Sequence, residues 1–163
     1  MRRLLMILAA GGALAATAPS GRLRPDGLDL GRARLRFGAS ERAVVAAARA
    51  VRGPPVARGV LRDCGQGVPI GYARYRGGLS LAFIGGRFAG WTLDEGGDAG
   101  LRTERGVGLG TTRAALARAY PGVRIDSTSL GEQFLLDGAP GGFLDARRAR
   151  VTMLFAGETC MAS

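Results

Sequence analysis

Carboxylates are the side chains of this sequence with most scope for catalysis, because histidine and lysine are both absent. Without histidine there is no Ser-His-Asp or Cys-His nucleophile and no histidine-ligated zinc, and without lysine there is no Schiff base. Two cysteines cannot supply the four thiolates of a structural zinc site. The chemistry that remains is of the glycosidase type, in which two Asp or Glu residues flank the scissile bond.

The sequence contains one acidic cluster, Asp94-Glu95-Gly96-Gly97-Asp98. This spacing is compatible with an acid/base pair or with a loop that holds a cation. The glycines favour a solvated connector instead, because glycine is typical of flexible loops, which do not hold neighbouring side chains in a defined position. We therefore predict that residues 94–100 are a linker, and we expect no catalytic residue, no metal site and no cofactor.

A glycine-rich segment, Gly106 to Thr112, is similar in composition to a phosphate-binding loop. Free amides at the start of a helix would suit an anion. The dinucleotide fingerprint, however, requires Gly or Ala where Thr111 stands and a buried strand before it, whereas residues 100–105 are polar. A Walker loop requires lysine. The segment is better explained as a short strand that ends in a glycine turn.

The two cysteines, Cys64 and Cys160, can form only one disulfide. An even cysteine count in an exported chain favours pairing, and two buried free thiols are the alternative. We expect the disulfide, because the C-terminal end would otherwise fray. Closing a loop of this length is worth at most about 4.7 kcal/mol on the chain-entropy argument.

The N-terminal residues have the three parts of a secretory signal peptide. Met1-Arg2-Arg3 is positively charged, Leu4 to Ala10 is apolar, and small residues follow from Ala13 to Ala18. We predict a signal peptide over residues 1–18, with cleavage between positions 15 and 20. A retained anchor is the alternative, but the apolar run is shorter than the roughly 20 residues of a spanning helix. The mature chain is therefore expected to be periplasmic or secreted, without a transmembrane span.

All 23 basic residues are arginine, and with 13 acidic residues they give a formal net charge of +10. Such a charge attracts acidic polymers, lipid head groups or nucleic acid. Arginine, alanine and glycine are abundant together, however, so a GC-rich genome also explains the bias. The arginines are scattered along the sequence, which argues against nucleic acid as a partner.

Aromatic and arginine side chains in the middle of the chain could anchor a protein partner, since these residue types dominate interface energetics. The candidates are Tyr72, Arg74, Tyr75, Arg76 and Trp91. For each aromatic residue, the alternative is a place in the hydrophobic core.

The elements that would position these residues follow a faint internal repeat. Leu35–Ser40 and Val107–Thr112, which both lead into alanine-rich helices, lie 72 residues apart, and the same offset aligns Leu79–Gly85 with Val151–Gly157. An internal repeat of this length indicates duplicated structural units. We therefore predict an α+β fold with two tandem copies of a strand, a helix and an antiparallel meander. The helices would pack on one face of a curved antiparallel sheet.

The first predicted unit covers residues 28–93 and the second covers residues 101–163. Ser40 and Thr112 are suitable N-caps, which predicts helices over Glu41–Arg52 and Arg113–Tyr120. Strands of the first meander are predicted near Val60–Cys64, Ile70–Arg76, Leu79–Ile84 and Arg87–Leu93. Strands of the second are predicted near Val123–Asp126, Gln133–Leu136, Phe143–Asp145 and Val151–Phe155.

This element order, occurring twice, resembles the tandem β-lactamase inhibitor protein and the related single-copy envelope proteins of the SmpA/OmlA type. The residues that carry the likeness are Phe37-Gly38-Ala39-Ser40 with Val44, and Leu109-Gly110-Thr111-Thr112 with Leu116. Two features depart from the family pattern: Ala39 and Thr111 replace a methionine, and there is one cysteine pair rather than a disulfide within each repeat. The resemblance implies a curved sheet that presents side chains to a protein partner.

The function expected from these observations is that of an exported, non-enzymatic protein-binding module, inhibitor-like or envelope-associated, whose partner is another exported or envelope protein. The alternative is a cationic module that binds acidic envelope polymers or lipid head groups, and the third is a carboxylate hydrolase. An exposed aromatic patch would favour the first, and arginines from distant segments on one face would favour the second. Two acidic residues about 5 to 9.5 Å apart across a cleft would favour the third.

Overall fold

The computed structural model describes residues 21–64, 67–94, 96, 100–136, 138, 140–145, 147 and 149–160. The predicted signal peptide and most of the predicted linker lie outside these residues. Within them, no helix has both the length and the apolar character required to cross a membrane.

The described residues form twelve strands and two helices. The first part of the chain contains β1 (Gly21–Arg24), β2 (Gly27–Leu30), β3 (Ala33–Arg36), α1 (Glu41–Arg52), β4 (Ala57–Leu61), β5 (Ile70–Arg74), β6 (Leu79–Ile84) and β7 (Arg87–Leu93). The second part contains β8 (Leu101–Thr103), α2 (Arg113–Ala119), β9 (Arg124–Thr128), β10 (Gly131–Leu135), β11 (Gly141–Asp145) and β12 (Arg150–Gly157).

The strands form two sheets. The small sheet has four strands in the order β3-β2-β1-β8, with β1 and β8 parallel and the other neighbours antiparallel. The large sheet has eight antiparallel strands in the order β4-β5-β6-β7-β12-β11-β10-β9. Its two central strands, β7 and β12, pair from Leu93 opposite Leu154 to Gly90 opposite Gly157. The last strand of the described residues, β12, therefore lies in the middle of the large sheet.

The predicted fold class, an α+β fold of two helix-packed units, is wrong. The described chain is mostly β, with 48% strand and 15% helix, two helices and two sheets. Much of the difference comes from residues 21–36, which form three strands of a separate sheet. Leucine and polar residues alternate along Arg22-Leu23-Arg24 and Leu28-Asp29-Leu30, and this period of two is typical of strands with one buried face.

Both helices begin at the residues that the sequence indicates. The side chain of Ser40 accepts a hydrogen bond from the Ala43 amide, and that of Thr112 accepts one from the Ala115 amide. These bonds satisfy amides that have no partner within the helix. The helix predicted over Glu41–Arg52 is confirmed.

The turns before the two helices make the same contacts with the large sheet. The Gly38 amide donates to the carbonyl oxygen of Phe88 at 2.7 Å, and the Gly110 amide donates to that of Val151 at 2.8 Å. Both glycines have positive φ, 87° and 77°, which a residue with a Cβ rarely adopts. The equivalent strand residues are thus Phe88 in β7 and Val151 in β12. The predicted alignment of Leu79–Gly85 with the last strand is wrong, because β6 does not occupy that position.

The hydrophobic core lies where the large sheet, the small sheet and the helices meet. It includes Leu23 and Leu28 from the small sheet, Leu81 and Trp91 from the large sheet, and Val44 from α1. The indole nitrogen of Trp91 donates hydrogen bonds to the carbonyl oxygens of Gly27 at 2.7 Å and Arg24 at 3.2 Å. The two sheets are therefore joined by a polar contact as well as by apolar packing.

Candidate functional site

The two faces of the large sheet differ in what they carry. In β6, Leu79, Leu81 and Phe83 are buried in the core, whereas Ser80 and Ala82 alternate with them and point to the opposite side. We call this opposite side the open face. The helices and the small sheet pack on the core side, so the open face is the surface of the large sheet that a partner can reach.

A groove of about 700 Å³ lies on the open face. Strand pairing aligns the residues of its central row, since directly opposed residues of antiparallel strands share a face. Arg74 is opposite Ser80, Ser80 is opposite Thr92, and Thr92 is opposite Phe155. Within the groove the row crosses β5, β6 and β7, and it continues to Phe155 of β12 beside the groove; its middle positions, Ser80 and Thr92, carry small side chains. The depth of the groove follows from those small residues.

One end of the groove, formed by β4 and β5, is apolar. Leu61 pairs with Ile70, and Gly59 pairs with Tyr72. A Cβ atom on Gly59 would lie 2.9 Å from Cε1 of Tyr72, so the tyrosine ring lies directly over this glycine. Glycine at position 59 therefore allows Tyr72 to cover β4 with its ring.

The other end of the groove, formed by β11 and β12, is also apolar. Phe143 is opposite Met153, and the Phe143 and Phe155 rings have centroids 5.9 Å apart. A Cβ atom on Gly141 would lie 2.8 Å from Leu135 Cδ2 and 2.9 Å from Phe155 Cζ. Both side chains thus lie over Gly141 of β11 and fill the space that a side chain at this position would occupy. Leu135, which is 65% exposed, and Phe155 lie beside this end of the groove and are not among its lining residues.

The predicted disulfide between Cys64 and Cys160 is confirmed, with Cα atoms 5.4 Å apart and a sequence separation of 96. It joins the segment that follows β4 to the segment that follows β12. Thr159 and Cys160 both line the groove. The C-terminal segment passes close over β7, because a Cβ atom on Gly90 would collide with the carbonyl oxygen of Glu158. The C-terminal segment from Glu158 to Cys160, which the disulfide holds in place, therefore forms one wall of the groove.

An ion pair between Arg74 and Asp94 is the charged feature of the groove. Their side chains are 3.2 Å apart and are 50% and 25% exposed. Burial raises the pKa of Asp94 above its ordinary value, and the positive charge of Arg74 opposes that shift. Among the described residues that line the groove, Asp94 is the one carboxylate. Its neighbours in the acidic cluster, Glu95 and Asp98, lie outside the described residues.

The five residues predicted from sequence as partner anchors are divided between the two faces. Tyr72 and Arg74 lie on the open face and line the groove. Tyr75 and Trp91 belong to the core, with exposures of 1% and 0%, so the structure does not bring them to a partner surface. Arg76 is exposed in the turn after β5, outside the groove lining.

Strand register explains this division. Ala73 and Tyr75 alternate with Tyr72 and Arg74, so they face the core. The Tyr75 hydroxyl has no hydrogen-bond partner among the described residues, and its burial raises the pKa of the phenol. Trp91 is opposite the buried Leu81. The position of each aromatic residue in its strand thus decides which face of the sheet its side chain lies on. Its chemical suitability for an interface does not.

The apolar residues at the β11–β12 end of the groove, Phe143 and Met153, were not predicted from the sequence. The register between these strands shifts at Phe143 and Leu144, so Thr152 and Met153, although adjacent in sequence, both line the groove. Such a bulge breaks the simple alternation of faces. The sequence did predict strands at Phe143–Asp145 and Val151–Phe155. It did not show that these two strands pair with each other.

Comparisons of the chain with protein-family models, with curated proteins and with solved structures found no match. The resemblance to the β-lactamase inhibitor protein stays a prediction.

Proposed function

We propose that this protein is an exported, non-enzymatic binding module that holds a segment of a partner protein in the groove of the open face. The observation that carries the proposal is the composition of the groove. Among the described lining residues, apolar side chains stand at both ends, small residues lie between them, and the ion pair of Arg74 with Asp94 supplies charge. This combination of an apolar surface with a few polar groups is typical of binding sites.

The exposed apolar side chains support a protein as the partner. Leu61 is 39% exposed and Leu130 is 52% exposed, and both line the groove. Apolar side chains that stay exposed in a groove favour an interaction site, because leaving them in water is unfavourable. Tyr72 adds a large, rigid side chain of the kind that dominates interface energetics.

The small residues in the middle of the groove support an inserted segment rather than a flat contact. Ser80, Ala82 and Thr92 leave space above the centre of the sheet. A partner loop that brings apolar side chains to the two ends would place its backbone over these residues. We propose such a loop as the occupant.

The ion pair supports specificity in the same proposal. A half-exposed pair such as Arg74–Asp94 contributes little to folding stability. At an interface, however, charged groups fix orientation and exclude partners with the wrong charge. We propose that the partner loop carries a polar or charged group that reaches this pair.

Export is part of the proposal and has two supports. Disulfides persist in oxidising compartments, and this chain forms one between Cys64 and Cys160. The sequence of residues 1–18 also matches a secretory signal. We propose that the protein works in the periplasm or outside the cell.

The proposal is tested by affinity capture from the native envelope fraction with three baits: the wild-type protein, Leu61→Asp and Val60→Asp. Leu61 points into the groove, whereas Val60 is its neighbour in β4, points to the other face and is 57% exposed. The two variants therefore introduce the same charge into the same strand on opposite faces.

We expect one protein species to be retained at high salt by the wild type and by Val60→Asp, and to be lost with Leu61→Asp. Calorimetry with the purified partner would then give a Kd for each bait, with a loss of roughly tenfold or more for Leu61→Asp. Equal capture by all three baits, or loss of every species at high salt, would contradict the proposed site.

A further inference from the structure

We propose that the outer face of the small sheet binds the phosphate-bearing head groups of an anionic membrane surface. This face is separate from the groove on the large sheet, and the inference does not depend on the proposed protein partner. It follows from where the strands β1, β3 and β8 place their arginines.

In β1 and β3, arginine side chains lie on one face of the strand and apolar or small residues lie on the other. Gly21-Arg22-Leu23-Arg24 and Ala33-Arg34-Leu35-Arg36 both alternate arginine with an apolar or small residue. Leu23 and Leu35 are buried in the core, so the arginines must point outward. Arg102 of β8 lies beside Arg22 in the parallel pair and joins the same face.

Strand pairing arranges these arginines in two rows. The first row contains Arg102, Arg22, Asp29 and Arg34, and the second contains Arg24, Gly27 and Arg36. Neighbouring strands are about 4.8 Å apart, and alternate residues of one strand are about 6.6 Å apart. The positive groups therefore form a two-dimensional array rather than a line. Residues that are distant in sequence converge on it, which explains why the sequence alone showed only scattered arginine.

Acidic residues on this face offset its charge only in part. Asp29 forms a close ion pair with Arg24 at 2.7 Å. The remaining carboxylates are more distant: Asp26 is 3.8 Å from Arg34 and 3.9 Å from Arg36, and Glu104 is 3.8 Å from Arg22. Arginine thus outnumbers acid on the face, and most guanidinium groups keep donors for a ligand. The Arg36 side chain is 64% exposed.

The chemistry and the shape of the array favour a lipid surface. Arginine binds phosphate through two parallel N–H donors, and it is more weakly hydrated than lysine. A planar array in two rows matches many head groups presented in one plane, whereas a single linear polymer would contact one row at a time. Clusters of basic residues near a membrane bind anionic lipids through the same electrostatic attraction.

The experiment is co-flotation of the purified protein with vesicles of phosphatidylcholine that contain phosphatidylglycerol, at low and at high salt. The test variant is Arg34→Gln with Arg36→Gln, on the outer face. The matched control is Arg42→Gln with Arg49→Gln, two exposed arginines of α1 that lie on the core side of the large sheet. Circular dichroism checks that both variants are folded.

We expect the wild type and the α1 variant to bind anionic vesicles at low salt. The outer-face variant should bind roughly 30-fold more weakly, since each arginine contributes about fivefold near an anionic surface. Vesicles of phosphatidylcholine alone should not bind the protein. The Leu61→Asp variant should bind anionic vesicles like the wild type, which separates this inference from the proposed function.

Equal weakening by both double variants would overturn the inference, because it would show attraction by net charge alone. It would also be overturned if wild-type protein failed to bind anionic vesicles at low salt. Retention on an immobilised acidic polysaccharide in that case would identify a polymer, and not a membrane, as the ligand of the arginine face.

Discussion

The indole nitrogen of Trp91 and the carbonyl oxygen of Gly27 form a 2.7 Å hydrogen bond that joins the large sheet to the small sheet. The tryptophan is fully buried, and the same N–H also lies 3.2 Å from the carbonyl oxygen of Arg24. Trp91 thus holds together the two layers that carry the two candidate binding faces.

We predict that Trp91→Phe destabilises the protein by about 2–4 kcal/mol. The change removes the only N–H that this side chain can donate, leaves backbone carbonyls in the core without it, and creates a cavity. Urea unfolding followed by far-UV circular dichroism measures the loss. The control is Tyr72→Phe on the open face, which removes a hydroxyl that water can reach. A similar cost for both changes would show that the link between the sheets contributes nothing specific.

Gly90→Ala should destabilise the protein by about 1–3 kcal/mol, as overpacking does. The added Cβ would collide with the carbonyl oxygen of Glu158 and lie 2.8 Å from Thr159 Cγ2, so the C-terminal segment would have to move. Gly71→Ala is the matched control, because its Cβ would meet Phe83 at an ordinary 3.6 Å. Thermal unfolding compares the stability of the two variants. If Gly71→Ala were less stable than Gly90→Ala, the packing described for β7 would be contradicted.

Reduction of the Cys64–Cys160 disulfide should lower stability and release the C-terminal wall of the groove. The expected loss is up to about 4.7 kcal/mol for a loop of this length, and measured losses are often smaller. The double variant Cys64→Ser with Cys160→Ser makes the comparison without a reductant. Hydrogen exchange should show faster exchange at Glu158, whose amide is bonded to Ala89 in the native protein. Unchanged protection there would indicate that the segment stays in place without the bond.

The pH dependence of stability should carry a contribution from Asp94. Burial raises the pKa of this carboxyl in the folded state, so between the unfolded and folded pKa values the folded protein binds more protons. Stability from this group is therefore greatest at low pH and falls as pH rises through the folded pKa. Asp94→Asn should become more stable relative to the wild type over that interval. Urea unfolding across acidic and neutral pH measures the difference between the two proteins.

The opposite trend for Asp94→Asn would show that the attraction of Arg74 outweighs burial. Arg74→Ala is the companion variant, because it removes the group that lowers the pKa of Asp94. It should move the fall in stability to higher pH. An NMR titration of the Asp94 carboxyl in both proteins follows the same shift directly.

Local features of the fold could be predicted from the sequence, and pairing between distant strands could not. The N-caps Ser40 and Thr112 and the helix Glu41–Arg52 depend on neighbouring residues, so their patterns were sufficient. The cysteine pairing was predictable because only one pair exists. The fold class was wrong because residues 21–36 build a second sheet, and which strands join a sheet depends on contacts far along the chain.

The same distinction applies to the candidate site. Tyr72 and Tyr75 have the same chemistry, but register places one on the open face and the other in the core. Phe155 lies on the open face, next to Thr92 of the groove, because β12 pairs with β7 from the other half of the large sheet. The arginine face required the pairing of β1 with both β2 and β8. Each of these outcomes depends on non-local hydrogen bonding, which no window of sequence contains.

The central position of β12 governs the order in which the protein can fold. Because β12 pairs with both β7 and β11, the two halves of the large sheet are not joined until residues 150–157 have paired with both strands. Until that pairing forms, β7 would expose a free strand edge, which is prone to association with other chains. The eight-stranded sheet can therefore be completed only once β12 is available, and until then the edge of β7 is where association with other chains would begin.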